Sequence, residues 1–151
     1  MSEITNRNIN LILPRVQLDD FFVYDIQFSM ANSTDSDNFE LNVGDKDFLC
    51  VNPKVTMFDA NGIHFPEASM AATALDSFTL DITSIDDKKF MSNPIDIWTL
   101  NDLANNPYFQ GMFFRSRTKY NFQIAGDLGL TKGTYPMYFR LELIGYKLNR
   151  V

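Results

Sequence analysis

Lys119-Tyr-Asn-Phe-Gln-Ile-Ala125 and Met137-Tyr-Phe-Arg-Leu-Glu-Leu143 decide how this chain is read. In the first, Tyr120, Phe122 and Ile124 alternate with Lys119, Asn121 and Gln123; in the second, Met137, Phe139, Leu141 and Leu143 alternate with Tyr138, Arg140 and Glu142. A period of two sends successive side chains to opposite faces of an extended backbone, so each run buries one face and wets the other. Gly126–Thr134, with two further glycines, reads as a hairpin loop between them. The whole stretch from Met112 to Leu148 therefore predicts long paired strands at the centre of an antiparallel sheet. Near Gly145 the alternation slips, because Tyr146 and Leu148 continue it on even positions, and an extra residue in the ladder would produce such a shift.

The same logic runs upstream. Phe22, Tyr24, Ile26, Phe28 and Met30 alternate with Val23, Asp25, Gln27 and Ser29, and Phe78, Leu80 and Ile82 alternate with Thr79, Asp81 and Thr83. Ile9–Val16 is a strand broken by Pro14, and Asp19-Asp20 reads as a turn. Ala31–Asp47, dense in Asn, Ser and Asp, reads as one long polar loop. Phe48–Asn52 and Lys54–Phe58 read as two short strands parted by Pro53, with Asn61-Gly62 turning the chain afterwards. Ile95–Trp98 is a short strand, Glu67–Leu75 and Leu100–Asn106 are brief helices, and Tyr108–Phe114 leads into the final pair. Eight or nine strands at short intervals predict an all-β chain, an antiparallel sandwich or barrel and not βαβ units, and a single antiparallel β-sandwich is the reading adopted.

The 151 residues suit one domain, and a chain of this size buries roughly 70% of its unfolded surface. The domain is expected over 9–151, behind a polar arm at 1–8 that orders, if at all, on a neighbouring subunit. Fourteen Phe, six Tyr and one Trp favour half-buried pleated surfaces. A net charge of −6 argues against nonspecific affinity for nucleic acid. The acid is unevenly placed: residues 1–75 hold eleven Asp/Glu against four Lys/Arg, and residues 76–151 hold eight against nine. Two surfaces of opposite sign would suit head-to-tail contact between copies, although an uneven scatter of surface charge is the plainer account. The one cysteine, Cys50, excludes an intrachain disulfide and sits in an apolar run as a small hydrophobe. No signal-like leader and no apolar run near the roughly 20 residues of a membrane span are visible, which predicts synthesis and folding in the cytoplasm.

No constellation for catalysis stands out. His64 is the only histidine, lies between Ile63 and Phe65, and has no Ser or Cys signature near it, so it reads as structural. Asp35, Asp37, Glu40, Asp45 and Asp47 supply oxygen ligands for Ca²⁺, but their spacing does not fit the twelve-residue calcium loop and a solvated acidic segment explains them better. Arg115, Arg117 and Lys119, spaced by two, would share one face of an extended segment as a cationic stripe, or simply guard a sheet edge. These three, with Arg140, Asp35 and Asp37, are the candidates for subunit contact. Trp98, Tyr108 and Phe109, beside Asn105-Asn106, are the candidates for ligand contact, against a reading in which they pack the core. No metal and no cofactor is expected.

Four segments in order, Asp96-Ile-Trp-Thr-Leu100, Pro107-Tyr-Phe109, Phe113-Phe-Arg-Ser-Arg-Thr-Lys-Tyr-Asn-Phe122 and Tyr138-Phe-Arg-Leu-Glu-Leu-Ile-Gly-Tyr-Lys-Leu148, resemble the C-terminal part of small virion structural proteins of bacteriophages. The likeness covers 96–148 and is one of apolar pattern; Met112, Arg115 and Arg117 depart from it. It implies an eight-stranded jelly roll with one or two short helices, and a non-enzymatic capsid component of penton, vertex or minor capsid type. Its partners would be copies of itself and other virion proteins, and its location the virion, after synthesis in the host cytoplasm. The alternative is a carbohydrate- or receptor-binding sandwich module.

Overall fold

A computed structural model describes residues 16–32, 35–58, 60, 64–65, 77–86, 89–127 and 136–150. Nine strands and one helix occur among them: β1 (Val16–Met30), β2 (Ser36–Asn42), β3 (Asp47–Phe58), β4 (His64–Phe65), β5 (Ser77–Ser84), β6 (Ile95–Asp96), α1 (Thr99–Leu103), β7 (Met112–Phe114), β8 (Lys119–Asp127) and β9 (Met137–Arg150). Every pairing is antiparallel. One sheet runs β1-β9-β3, with β7 and β4 on successive stretches of the free edge of β3; the other runs β2-β8-β5-β6. The expected strand Ile9–Val16 up to residue 15, the helix at 67–75 and the Asn61-Gly62 turn lie outside the described residues.

The period-two residues make a single core between the sheets. Ile26, Phe28, Val55, Met57, Phe139 and Leu141 come from one sheet and Leu41, Phe78, Leu80, Ile82, Phe122 and Ile124 from the other, all buried. Phe78 meets Phe139 edge-on with ring centres 4.7 Å apart, and Phe114 stacks over Phe122 at 6.1 Å. Such aromatic pairs contribute roughly 0.5–1.5 kcal/mol beyond the area they bury. Cys50 belongs to this core, and burial pushes its thiol up to about 12.

Several sequence expectations change. Asp19-Asp20 is not a turn: β1 runs through it, and its register against β9 shifts between Leu18 and Phe21. The stretch 31–47 is not one loop, because β2 lies inside it, with Leu41 and Val43 in the core and Phe39 packed against it. Pro53 does not split two strands. It stands within β3, opposite Leu143 of β9, where the other edge of β3 is paired by β7 only up to Cys50 and by β4 only from Met57. Two residues on, on the same edge, Val55 bonds to a side chain and not to a strand: Asn101 of α1 accepts from its N–H at 2.7 Å and donates to its carbonyl at 3.1 Å. Proline lacks an N–H, and at position 53 this edge has no strand partner to receive one.

At Gly145 the ladder does carry an extra residue. β9 keeps its alternation; the added residues are in its neighbours, between Leu18 and Phe21 of β1 and between Cys50 and Asn52 of β3. Leu148 and Tyr146 belong to a second, smaller cluster with Leu49, Val51 and Phe113, separate from the main core to which their neighbours Phe48, Cys50 and Phe114 belong. Gly145 sits at the bulge, and a Cβ there would fall onto the carbonyl oxygen of Leu49 and 2.9 Å from Cys50 Cα. Only glycine permits the two backbones to approach so closely.

Candidate functional site

The β7–β8 turn is held from both sides. Asp47, buried, accepts the Ser116 N–H at 2.8 Å, and the Tyr120 hydroxyl accepts the Arg115 N–H at 2.8 Å. The Arg117 N–H is shared by the carbonyls of Val43 (3.1 Å) and Gly44 (2.9 Å), while the Val43 N–H donates to Thr118. Arg117 adopts φ +54°, a left-handed conformation that reverses the chain. Arg115, Arg117 and Lys119 therefore do not form one extended stripe. Arg117 points its charge to Asp45 at 3.6 Å with both side chains almost wholly exposed, and Lys119 lies on the wet face of β8 opposite Asn42.

Arg115 instead borders a cleft. After β5 the chain doubles back: Ile85 N–H donates to the Lys119 carbonyl, Lys89 bridges to Thr83, and Phe90 N–H donates to the Ile82 carbonyl. Phe90 then stacks on Phe114 at 4.9 Å and meets Tyr120 at 5.5 Å. The result is a half-open cavity of about 330 Å³, walled by Phe90, Phe113 and Tyr120, with Arg115, Lys89, Asp86, Ser84 and Thr118 around it. Among the described residues neither Arg115 nor Lys89 forms an ion pair, and the Ser84 hydroxyl oxygen is out of solvent without a hydrogen-bond partner. An adjoining apolar hollow of about 320 Å³, lined by Met91, Ile95, Leu100 and Leu103, shares Phe90 and Phe113 with it.

The other candidates lie elsewhere. Asp37, on the edge strand β2, accepts the N–H of Ser29 on the edge strand β1 at 2.8 Å, and Asp35, just before β2, accepts that of Ala31, just past the end of β1, at 3.3 Å. Satisfying an edge in this way protects it from stray pairing. Arg140 pairs with Asp25 at 3.3 Å across β9 and β1. Trp98 and Phe109 pack against the core, Trp98 lying 6.1 Å from Phe139, while Tyr108 alone of that trio is freely exposed, at 88%. The three do not assemble into an aromatic platform. His64 is in β4 opposite Phe58. Among the described residues no three of His, Cys, Asp and Glu converge as metal ligands, and no helix is long and apolar enough to cross a membrane.

Sequence reasoning did not find the cleft. Arg115 was visible in its motif, but Ser84, Lys89 and Phe90 come from a segment 25 or more positions earlier, and only the β5–β8 pairing unites them. No family model matches the chain, and comparison with curated proteins and with solved structures found none that matches.

Proposed function

We propose that the chain is a jelly-roll β-sandwich serving as a non-enzymatic structural component of a bacteriophage virion, a penton, vertex or minor capsid protein that acts by self-assembly. The observation that carries this reading is the nesting of strand pairs. With the two-residue β4 set aside, β1 pairs with β9, β2 with β8, β3 with β7 and β5 with β6. Those pairs alternate between the sheets: first and third in one, second and fourth in the other. One long hairpin of eight strands rolled into two layers would produce this nesting, which supports the jelly-roll reading. Because one fold hosts many functions, the virion role rests additionally on the apolar pattern of 96–148 that resembles small virion proteins of phages. The aromatic core supplies a stiff body for tiling. Arg140, Arg117, Lys119 and the segment bearing Asp35 and Asp37 supply charged outer contacts, and stable interfaces of this kind bury on the order of 800 Å² per partner.

Size-exclusion chromatography with light scattering, followed by negative-stain electron microscopy, tests the reading. A discrete ring or larger closed assembly is expected. A chain that stays monomeric at its solubility limit, with and without crowding agents, would overturn it.

A further inference from the structure

We propose that the cleft between the β5–β6 connection and the β7–β8 turn is a binding site for an acidic saccharide, a sugar ring carrying a carboxylate. The argument begins with size: about 330 Å³ lies at the small end of the roughly 300–1,000 Å³ range of small-molecule sites and suits one ring. The walls come next. Phe90 and Phe113, both part-exposed, offer apolar surface against which the C–H face of a sugar packs, with the buried Tyr120 behind them. Charge selects the acid. Arg115 and Lys89 both border the space, and among the described residues neither is neutralised by a carboxylate, although the chain as a whole carries a net charge of −6. A guanidinium receives a carboxylate through two parallel N–H donors, which fixes its orientation.

The polar remainder selects hydroxyls. Ser84 Oγ is buried and, among the described residues, unpartnered, an arrangement that costs stability unless something fills its hydrogen-bonding capacity. Asp86 stands at the same site and among the described residues pairs with no cation. Its carboxylate accepts from ligand hydroxyls but repels a multiply charged anion, so a polyphosphate is disfavoured. A plain aliphatic acid would leave Ser84 and Asp86 without partners. A ring with one carboxylate and several hydroxyls uses every group present. This site is independent of the virion role, since it rests on no subunit contact.

The experiment is saturation-transfer NMR and isothermal titration calorimetry on the intact chain with glucuronate, against glucose and octanoate. Glucuronate is expected to receive saturation from the aromatic protons and to bind about tenfold more tightly than glucose, the worth of one charge-assisted contact. Arg115→Ala should weaken glucuronate by a similar factor of about ten while leaving glucose unchanged. The variant keeps the Arg115 backbone bond to Tyr120, so its thermal midpoint should hold; should it fall, Ser84→Ala, which deletes only an unpartnered hydroxyl, is read in its place and should also weaken glucuronate. No transfer to glucuronate, equal affinity for glucose, tighter binding of octanoate, or full affinity in a folded variant would each overturn the proposal.

Discussion

Asn101 stands where a strand would otherwise be, and removing it measures what that substitution of side chain for strand contributes. Its amide both accepts from and donates to Val55, a residue only 2% exposed. Asn101→Ala leaves a buried N–H and a buried C=O without partners. Each unsatisfied group costs about 1–3 kcal/mol, so the loss should reach about 2–6 kcal/mol. For a chain of this length that lowers the thermal midpoint by about 5–20 °C. Asn101→Asp keeps an acceptor for the Val55 N–H but sets a carboxylate oxygen against the Val55 carbonyl, and it should be at least as damaging. Urea denaturation followed by tryptophan fluorescence gives the stability, since Trp98 is the one tryptophan and is packed against the core near Phe139. A change below about 0.5 kcal/mol for Asn101→Ala would show that water satisfies Val55 freely and would refute the account of the β3 edge.

Three more outcomes follow from single positions. Gly145→Ala places a methyl group on the Leu49 carbonyl, so β3 and β9 must part; the variant should be insoluble or lose more than about 3 kcal/mol by urea titration, whereas Gly44→Ala, with open space around it, should cost far less. Cys50 should resist a thiol reagent at pH 8 in the folded state and react fully in urea, because burial holds the thiol protonated up to about 12. Since the unfolded thiol ionises near 9.0 and the folded one only near 12, Cys50 contributes a loss of stability as pH rises through that window, and Cys50→Ala should flatten the decline seen in urea melts there. Arg117→Gly should match or exceed the parent in stability by up to about 1 kcal/mol, because φ +54° is costly for a side chain and the exposed pair with Asp45 is worth little; Arg117→Val should lose about 1 kcal/mol or more in the same titration.

The strands that face one sheet with a clean alternation were legible in the residues themselves: Phe22 to Met30, Phe78 to Ile82, Tyr120 to Ile124 and Met137 to Leu143 all bury the face their spacing predicts. β2 was hidden because the outward positions of Phe39-Glu-Leu-Asn-Val43 are Asn and Glu, and the flanking Asp and Ser gave the whole stretch the composition of a loop. β3 was cut at Pro53 because no local signal tells which edge of a strand will lack a partner. The extra residue in the ladder at Gly145 was visible, but not the strands that carry it: the added residues sit on either side of β9, distant in sequence. The cationic stripe failed for a conformational reason, as one left-handed residue at Arg117 turns a spacing of two into a reversal. The cleft depends wholly on tertiary pairing, which places Lys89 and Phe90 beside Arg115.

The position of β9 between β1 and β3 has a bearing on biogenesis. Met30 finds its neighbour in Met137, a separation of roughly a hundred residues, and β9 is the last of the described strands to leave the ribosome. Until it emerges, the apolar rows of β1 and β3 have no shared neighbour between them, and their ladder donors stand open. The first sheet is thus completed from the middle by its latest member, so a nascent chain halted before residue 137 should expose sticky, unzipped edges and call on holding chaperones, with maturation arriving in one late step.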